Sequence, residues 1–356
     1  MRAVLRVAGL GLRARWRDWL VLTLLIGLAG GAVLATLAGA RRTASAYPRF
    51  LRYSHASDLL VATSGGVGGY DQAVGRLPGV AASAPLVVLN ALPMTRSGRL
   101  EQDQVVAPLD GRYAAVLDRP KLLAGRPPRP GRPGEAMVDQ LAAARLGLHV
   151  GSPLVLALFA GDDPRPARRL TERVTGIMVT RGSVVPVTDS DRSSLIVTSA
   201  ALFRALGPRY EGADGATVKL RPGASPARVT TAAQALTRRY PATQGQAAVA
   251  DESAQAAAVQ RSIRPQAVAL ALFALCLAIT ALVVTGQLAT RLIRNAAVGV
   301  RALAAMGMTR PQLQAAALVQ VVTAAAAGAV LACGTAVAAS PLMPRPITPR
   351  RGWAKP

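Results

Sequence analysis

Three stretches of this chain carry no charged side chain: 22 residues between Asp18 and Arg41, 26 between Arg264 and Arg291, and 34 between Arg310 and Arg345. Each is longer than the roughly 20 residues a helix needs to cross a bilayer core, and each is flanked by arginine. The chain therefore reads as a membrane protein. A basic segment of mixed composition, 225 residues long (41–265), separates the first run from the other two.

Hydrophobic residues make up 51% of the chain and aromatics only 4%, so the apolar content is Ala, Val and Leu, which suit lipid-facing or closely packed helices. The net charge of +24 would ordinarily suggest nucleic acid. The 42 basic residues include only three lysines, however, and are scattered through loops without a dense basic helix or interleaved aromatics. No nucleic-acid partner is expected.

Arginines close to the spans set the orientation. The amino-terminal segment holds Arg2, Arg6, Arg13, Arg15 and Arg17 against Asp18, and the loop after the second span holds Arg291, Arg294, Arg301 and Arg310 against no acid. The positive-inside rule makes both cytoplasmic. Seventeen of the eighteen acids lie in 41–265, facing 29 basic residues, as in a translocated domain. The expected organisation in the plasma membrane is multi-pass: a cytoplasmic interfacial segment (1–18), a first span (19–40), an extracytoplasmic domain (41–265), a second span (266–290), a cytoplasmic coupling loop (291–312), a third span (313–340) and a short basic tail (341–356).

The rival reading of the first span is a cleaved signal peptide, with Ala38-Gly39-Ala40 as the small-residue site. Its apolar stretch exceeds the roughly 7 to 15 residues of a signal core. Gly27, Gly31, Ala35 and Gly39 also recur every four residues, a stripe of small side chains that lets another helix approach closely. Ahead of the span, Arg2, Arg6, Arg13 and Arg17 fall on one helical arc, which suits an interfacial helix on anionic head groups of the lipid bilayer or a solvated charged face.

Segment 41–265 has the signals of a folded α+β domain. Strand-like runs include 58–62, 84–89, 153–159, 173–180, 194–198 and 216–220, mostly bounded by Gly, Pro, Asp or Ser. Asp139 is placed to cap a short helix that Gly147 ends, and Ser225 to cap one from Pro226 to about Arg239. The Arg-, Pro- and Gly-rich residues 119–134 exclude helix and central strand and read as an exposed connection. Both cysteines, Cys276 and Cys333, fall in spans, so the domain has no disulfide; its length suffices for one core or two subdomains.

Catalytic constellations are scarce. His55 and His149 lack metal-ligand spacing, Asp162-Asp163 and Asp189-Ser190-Asp191 lack the rest of a calcium loop, and Gly65-Gly-Val-Gly-Gly69 fails the dinucleotide pattern. No Gly-Lys-Ser/Thr occurs, so a P-loop is excluded. The expectation is a protein that is not an enzyme and holds no cofactor, metal or catalytic residue; nucleotide-driven work would need a separate ATPase.

Between the second and third spans, residues 294–306 suit a helix, Gly307 suits its left-handed end, and Thr309-Arg-Pro-Gln312 is a capping box opening the next helix. A short helix held between two spans is a handle through which a partner tilts both; an ordinary loop helix is the plainer alternative.

Here the residues resemble a family. Val300-Arg-Ala-Leu-Ala-Ala-Met-Gly-Met-Thr-Arg-Pro-Gln312 is similar to the turn after the second span in FtsX-like permeases of the MacB type, with two extra residues before the glycine. Arg15 to Arg42 followed by Ala46-Tyr-Pro-Arg-Phe50 looks like the entry to actinobacterial members, and Gly125-Arg-Pro with Gly134 to Gly151 resembles a run of the family's extracytoplasmic domain. The resemblance implies three all-α spans with a MacB-like periplasmic core between the first two. It implies an ABC transporter permease subunit working in efflux, export or envelope mechanotransmission. A separate P-loop ATPase would contact Arg294, Arg301, Gly307, Thr309, Arg310 and Gln312, and permease subunits would pair as a homo- or hetero-dimer. The family's smallest unit has four spans and this chain three, so the resemblance also implies a truncated permease or one completed by a second polypeptide. The alternatives are a membrane-anchored receptor or adaptor and a nonfunctional fragment.

Overall fold

The computed structural model describes residues 2–64, 69–161, 163–184, 194–240, 243, 247–295 and 307–340. The chain divides into two compact units, one of Met1–Ser45 with Ser262–Pro346 and one of Ala46–Arg261.

The first unit is helical: α1 (Arg2–Ala14), most of α2 (Trp16–Tyr53), most of α8 (Glu252–Asn295) and α9 (Arg310–Ala339). Apart from α1, these helices are long and apolar enough to cross a membrane. Leu24 and Leu28 of α2, Phe273 and Leu282 of α8, and Val330 and Val337 of α9 point outward. That arrangement is costly in water and neutral in hydrocarbon. At one end of the bundle Trp19, Leu22 and Ala324 are buried together, with Leu288, Ala289 and Leu292 of α8 packed against them. Gln320 of α9 donates through Nε2 to the carbonyl of Ala8 (3.2 Å), which ties α1 to α9.

The second unit is built on an eleven-stranded sheet. Its strands are β1 (Leu59–Ser64), β2 (Val80–Leu89), β3 (Ala91–Met94), β4 (Gln104–Pro108), β5 (Lys121–Gly125), β6 (Glu135–Asp139), β7 (Pro153–Leu158), β8 (Arg168–Val179), β9 (Leu195–Thr198), β10 (Glu211–Leu220) and β11 (Ala248–Asp251). The order is β11-β1-β10-β2-β4-β9-β6-β8-β7-β3, with β5 on β8; β4–β9 and β6–β8 are parallel and the other pairs antiparallel. The helices are α3 (Tyr70–Gly75), α4 (Gln140–Leu146), α5 (Arg181–Val184), α6 (Ala200–Leu206) and α7 (Pro226–Leu236).

Alternation along the strands sorts the residues onto two faces. Leu59 and Val61 of β1 and Val218 of β10 pack with Val74 of α3 and Val229 of α7. Val105, Val138, Leu156 and Ile177 on the central and distal strands pack with Ala142 of α4 and Leu202 of α6. The intervening residues Leu86, Val106, Met137, Met178 and Val197 form a third cluster with Tyr113 and Leu117. The unit is thus one sheet with several buried clusters rather than one core or two detached subdomains.

Local signals explain the helix ends. Asp139 accepts from the Leu141 amide (2.9 Å) at the start of α4, and Gly147 takes the left-handed φ of 63° at its end. Asp251 closes β11 and opens α8, accepting from the Ala254 amide (2.9 Å) and from the Ser253 hydroxyl (2.6 Å). Ser225 precedes Pro226 in α7, although its side chain makes no capping bond, and after Leu236 the helix tightens into a 3-10 turn that ends at Arg239, as expected.

One expectation needs correction. Residues 119–134 are not merely a connection, because Lys121–Gly125 pairs antiparallel with the last turns of β8 across a bulge between Leu122 and Ala124. Pro120 immediately precedes the strand and the other prolines, from Pro127 on, follow it, so none removes a donor from the ladder that β5 makes with β8.

Candidate functional site

The small residues of α2 lie against α9. Gly27, Gly31 and Ala35 are buried and Gly39 is half-buried. A Cβ on Gly27 would collide with the Leu331 side chain, and one on Gly31 with Thr335 and, at 3.2 Å, the Ala332 carbonyl. In return Gly328 of α9 receives Ile26, whose Cβ would lie 2.7 Å from an added Cβ. Only glycine allows the two backbones this close. The gap left by the missing side chains is bridged by Thr335, whose Oγ1 donates to the Gly27 carbonyl (3.3 Å) and lies 3.0 Å from that of Ala332. Beyond the stripe, Arg42 donates to the Ser340 hydroxyl (3.0 Å).

At the other end, α9 opens on the expected turn. Gly307 has φ of 95°, a conformation that strains any residue with a Cβ, and nothing lies within 4 Å of where that Cβ would stand. Thr309 is the N-cap, extended at φ −74°, ψ 153°; its amide donates to Gln312 Oε1 (3.1 Å), the return bond of a capping box, and Pro311 sits in the first turn. Gly307, Thr309, Arg310 and Gln312 are all exposed, as is Arg294 in the last turn of α8. Arg301 lies outside the described residues. Beside this turn, Arg15 reaches the Leu292 carbonyl of α8 (3.5 Å). The arrangement presents polar, exposed groups on a rigidly capped helix start whose helix is gripped further along by α2.

His55 and His149 are exposed, and Asp163 accepts from the Arg165 amide (2.9 Å). Among the described residues no three His, Cys, Asp or Glu side chains converge on a metal-holding arrangement. Asp162, Asp189, Asp191 and residues 65–68 lie outside the described residues.

The second unit contains polar clusters that no local sequence signal announces. Arg181, at the start of α5, pairs with Glu252 (2.8 Å) and Asp118 (3.8 Å) and donates to the Ser57 carbonyl (3.0 Å), while Asp118 Oδ1 accepts from the Ser57 amide (3.0 Å). Tyr113 is buried beside this group, and burial pushes its phenol pKa up. In the sheet, Arg126 donates to both oxygens of Glu135 (2.8 and 2.7 Å), and the Arg129 amide donates to one of them (2.9 Å). Those bonds, that to Arg126 first, hold the Glu135 carboxyl at about 2. Glu172 on β8 is fully buried, and burial, opposed only weakly by the nearby Gly134 backbone, pushes its carboxyl up to about 7.

Comparison with known proteins bears on this arrangement. Residues 20–236 match the family described as MacB-like periplasmic core domain. Among curated proteins no match is found. Three solved structures resemble the chain. The periplasmic region of MacB from Actinobacillus actinomycetemcomitans has 10% identity and a TM-score of 0.36 over 58% of this chain and 92% of that one. A domain of a permease protein from Porphyromonas gingivalis has 13% identity and 0.32 over 54% and 88%. The extracellular domain of the noncanonic ABC-type transporter YknZ from Gram-positive bacteria has 10% identity and 0.34 over 54% and 99%.

Proposed function

The chain belongs to the MacB-like periplasmic core domain family, and from that premise we propose that this ABC transporter permease component couples ATP hydrolysis by a separate cytoplasmic ATPase to movement of the 46–261 unit. The observation that carries the reading is the pairing of α9 with α2. A displacement entering at the capped start of α9 cannot slide freely past α2, because Gly27, Gly31 and Gly328 interlock with Leu331, Thr335 and Ile26. The ATPase contacts Arg294, Arg301, Gly307, Thr309, Arg310 and Gln312, and ATP is bound by that partner alone.

In this reading the amino terminus and residues 291–312 are cytoplasmic and residues 41–265 extracytoplasmic, in keeping with the arginine distribution. Only 6% of the apolar window of α8 is buried within the chain, which leaves its faces to lipid or to a second permease subunit in a homo- or hetero-dimer.

The test is co-purification with the ATPase and measurement of ATP turnover for the wild type, Arg301→Glu and Gly307→Pro. Loss of association in the first variant and of stimulated turnover in the second is expected; unchanged values in both overturn the coupling role.

A further inference from the structure

Within the helical unit, α1 packs at the end of the bundle where the uncharged runs begin and stop. Leu12 of α1 packs with Trp19 and Leu22 of α2, Leu288 and Leu292 of α8 and Val321 of α9. The charges that bound two of those runs stand beside the same residues: Arg17 and Asp18 directly precede Trp19, and Arg291 lies between Leu288 and Leu292. In a membrane this is the level at which the apolar core gives way to the head groups. One side of α1 is taken up by the bundle. Ala8 is buried and its carbonyl accepts from Gln320 Nε2 (3.2 Å), a Cβ on Gly11 would collide with the same Gln320 side chain, and Arg15 reaches the Leu292 carbonyl (3.5 Å).

The other side of α1 is left open. Arg6, Leu10 and Arg13 follow one another at four- and three-residue spacing, which places them on one face, and all three are exposed, as is Arg17 just beyond the break at Arg15. Among the described residues no acid pairs with Arg6, Arg13 or Arg17. Leu10 is 67% exposed and Trp16, the first residue of α2, is 57% exposed, with the Arg17 guanidinium 5.6 Å from its ring centre. Cations set among exposed large apolar groups suit the boundary of a bilayer, where Leu and Trp enter the acyl region while arginine heads stay among the phosphates. The counter-charge has to come from outside the unit. Asp18 is the only acid in residues 1–45 and 262–346, segments that hold seven and six arginines.

We propose that the open face of α1 docks on anionic phospholipid, with head-group phosphates accepting from Arg6, Arg13 and Arg17 while Leu10 and Trp16 enter the acyl boundary. Phosphate accepts the forked bonds that guanidinium donates, and an anionic leaflet presents many such groups at the level where these side chains stand. Because Gln320 and Arg15 tie α1 to α9 and α8, the lipid surface thereby holds one end of the bundle. The inference stands apart from motor coupling and from which side of the membrane this end occupies, and its test contains no ATPase.

The full chain is placed in phosphatidylcholine nanodiscs containing, at equal mole fraction, either phosphatidylglycerol or phosphatidylcholine brominated near the head-group end of the acyl chain. Bromine quenches tryptophan fluorescence on contact, and the Trp16 signal is the difference between the wild type and Trp16→Phe. The brominated phosphatidylglycerol is expected to occupy the surroundings of Trp16 about fivefold more than the brominated phosphatidylcholine, the scale of one arginine beside an anionic surface. That preference should fall to about one in Arg6→Gln/Arg13→Gln/Arg17→Gln, whose three changes are all at exposed positions. Equal quenching by the two lipids in the wild type overturns the anionic preference, and that comparison needs no arginine variant. A preference that survives in the triple variant overturns the role of the arginines. A Trp16 signal reached by acrylamide from the water and by neither brominated lipid overturns the docking surface and leaves a solvated face.

Discussion

The Thr335 hydroxyl of α9 donates to the Gly27 carbonyl of α2 at 3.3 Å, across a gap that exists because positions 27 and 31 have no side chains. The contact adds a defined register to a stripe of small residues: shifting α9 by one turn would leave the hydroxyl without that carbonyl.

Glycine substitutions should therefore separate by position. Gly31→Ala collides with Thr335 and the Ala332 carbonyl and should destabilise by about 1–3 kcal/mol, the cost of overpacking. Gly286→Ala on α8 meets nothing within 4 Å and should be neutral or stabilise by up to ~1 kcal/mol. Thermal unfolding in detergent checks both, and the opposite signs are the result to look for.

Asp139 is fully buried and serves two elements, capping α4 through the Leu141 amide and accepting from the Thr180 hydroxyl (2.9 Å) and amide (3.3 Å). Burial pushes its carboxyl pKa up against those bonds. Asp139→Ala loses the cap and the bond from the Thr180 hydroxyl, leaving Thr180 only its contact with Ser183 (2.9 Å from the amide), a cost of about 1–3 kcal/mol; Asp139→Asn keeps the cap and should lose about half as much. Chemical denaturation of the two variants measures the difference.

Glu172 makes stability fall with pH. Its carboxyl rises from the ordinary 4.5 to about 7, chiefly through burial, so the folded state holds a proton that the unfolded state has released between those values. The contribution is complete below pH 4.5 and lost as pH rises through about 7, a change on the order of 3 kcal/mol. Glu172→Gln should flatten this limb and be the more stable protein above pH 7, as unfolding midpoints at pH 5 and pH 8 would reveal.

The Arg126–Glu135 pair acts in the opposite sense. Glu135 lies far below its ordinary 4.5 because Arg126 bonds both its oxygens, so the stability it provides is present above 4.5 and disappears as pH falls towards 2. Arg126→Met should move the acid-unfolding midpoint towards neutrality and leave stability at pH 8 less affected than in a variant of Glu135, whose buried oxygens also hold the Arg129 amide. An acid titration followed by circular dichroism tests the shift.

The helices were more legible in the sequence than the sheet, for a physical reason. An uncharged run longer than a bilayer is thick has few other uses: α2 and α8 contain the first two runs, and α9 covers the third as far as Ala339. Asp139 and Gly147 announced α4 because caps are local chemistry. Strand β6 gave no alternation because all five of its residues are buried, and β11 is only four residues long. Asp118, Arg181 and Glu252 come from separate parts of the chain, and only the sheet topology brings them together. The glycine stripe predicted a close neighbour but not which helix it would be, since spacing describes one surface and a contact needs two.

The strand order also dictates a timetable for synthesis. Strand β10 lies between β1 and β2 yet is made after every other strand except β11, which then closes the far edge on β1 just before α8 begins. Until residue 220 leaves the ribosome, β1 has no partner on either side and β2 has one bare edge, which is the condition that invites mispairing with other chains. A nascent chain stalled before that point should depend on a holding chaperone, and a release only some thirty residues later, after Asp251, should free it of that need.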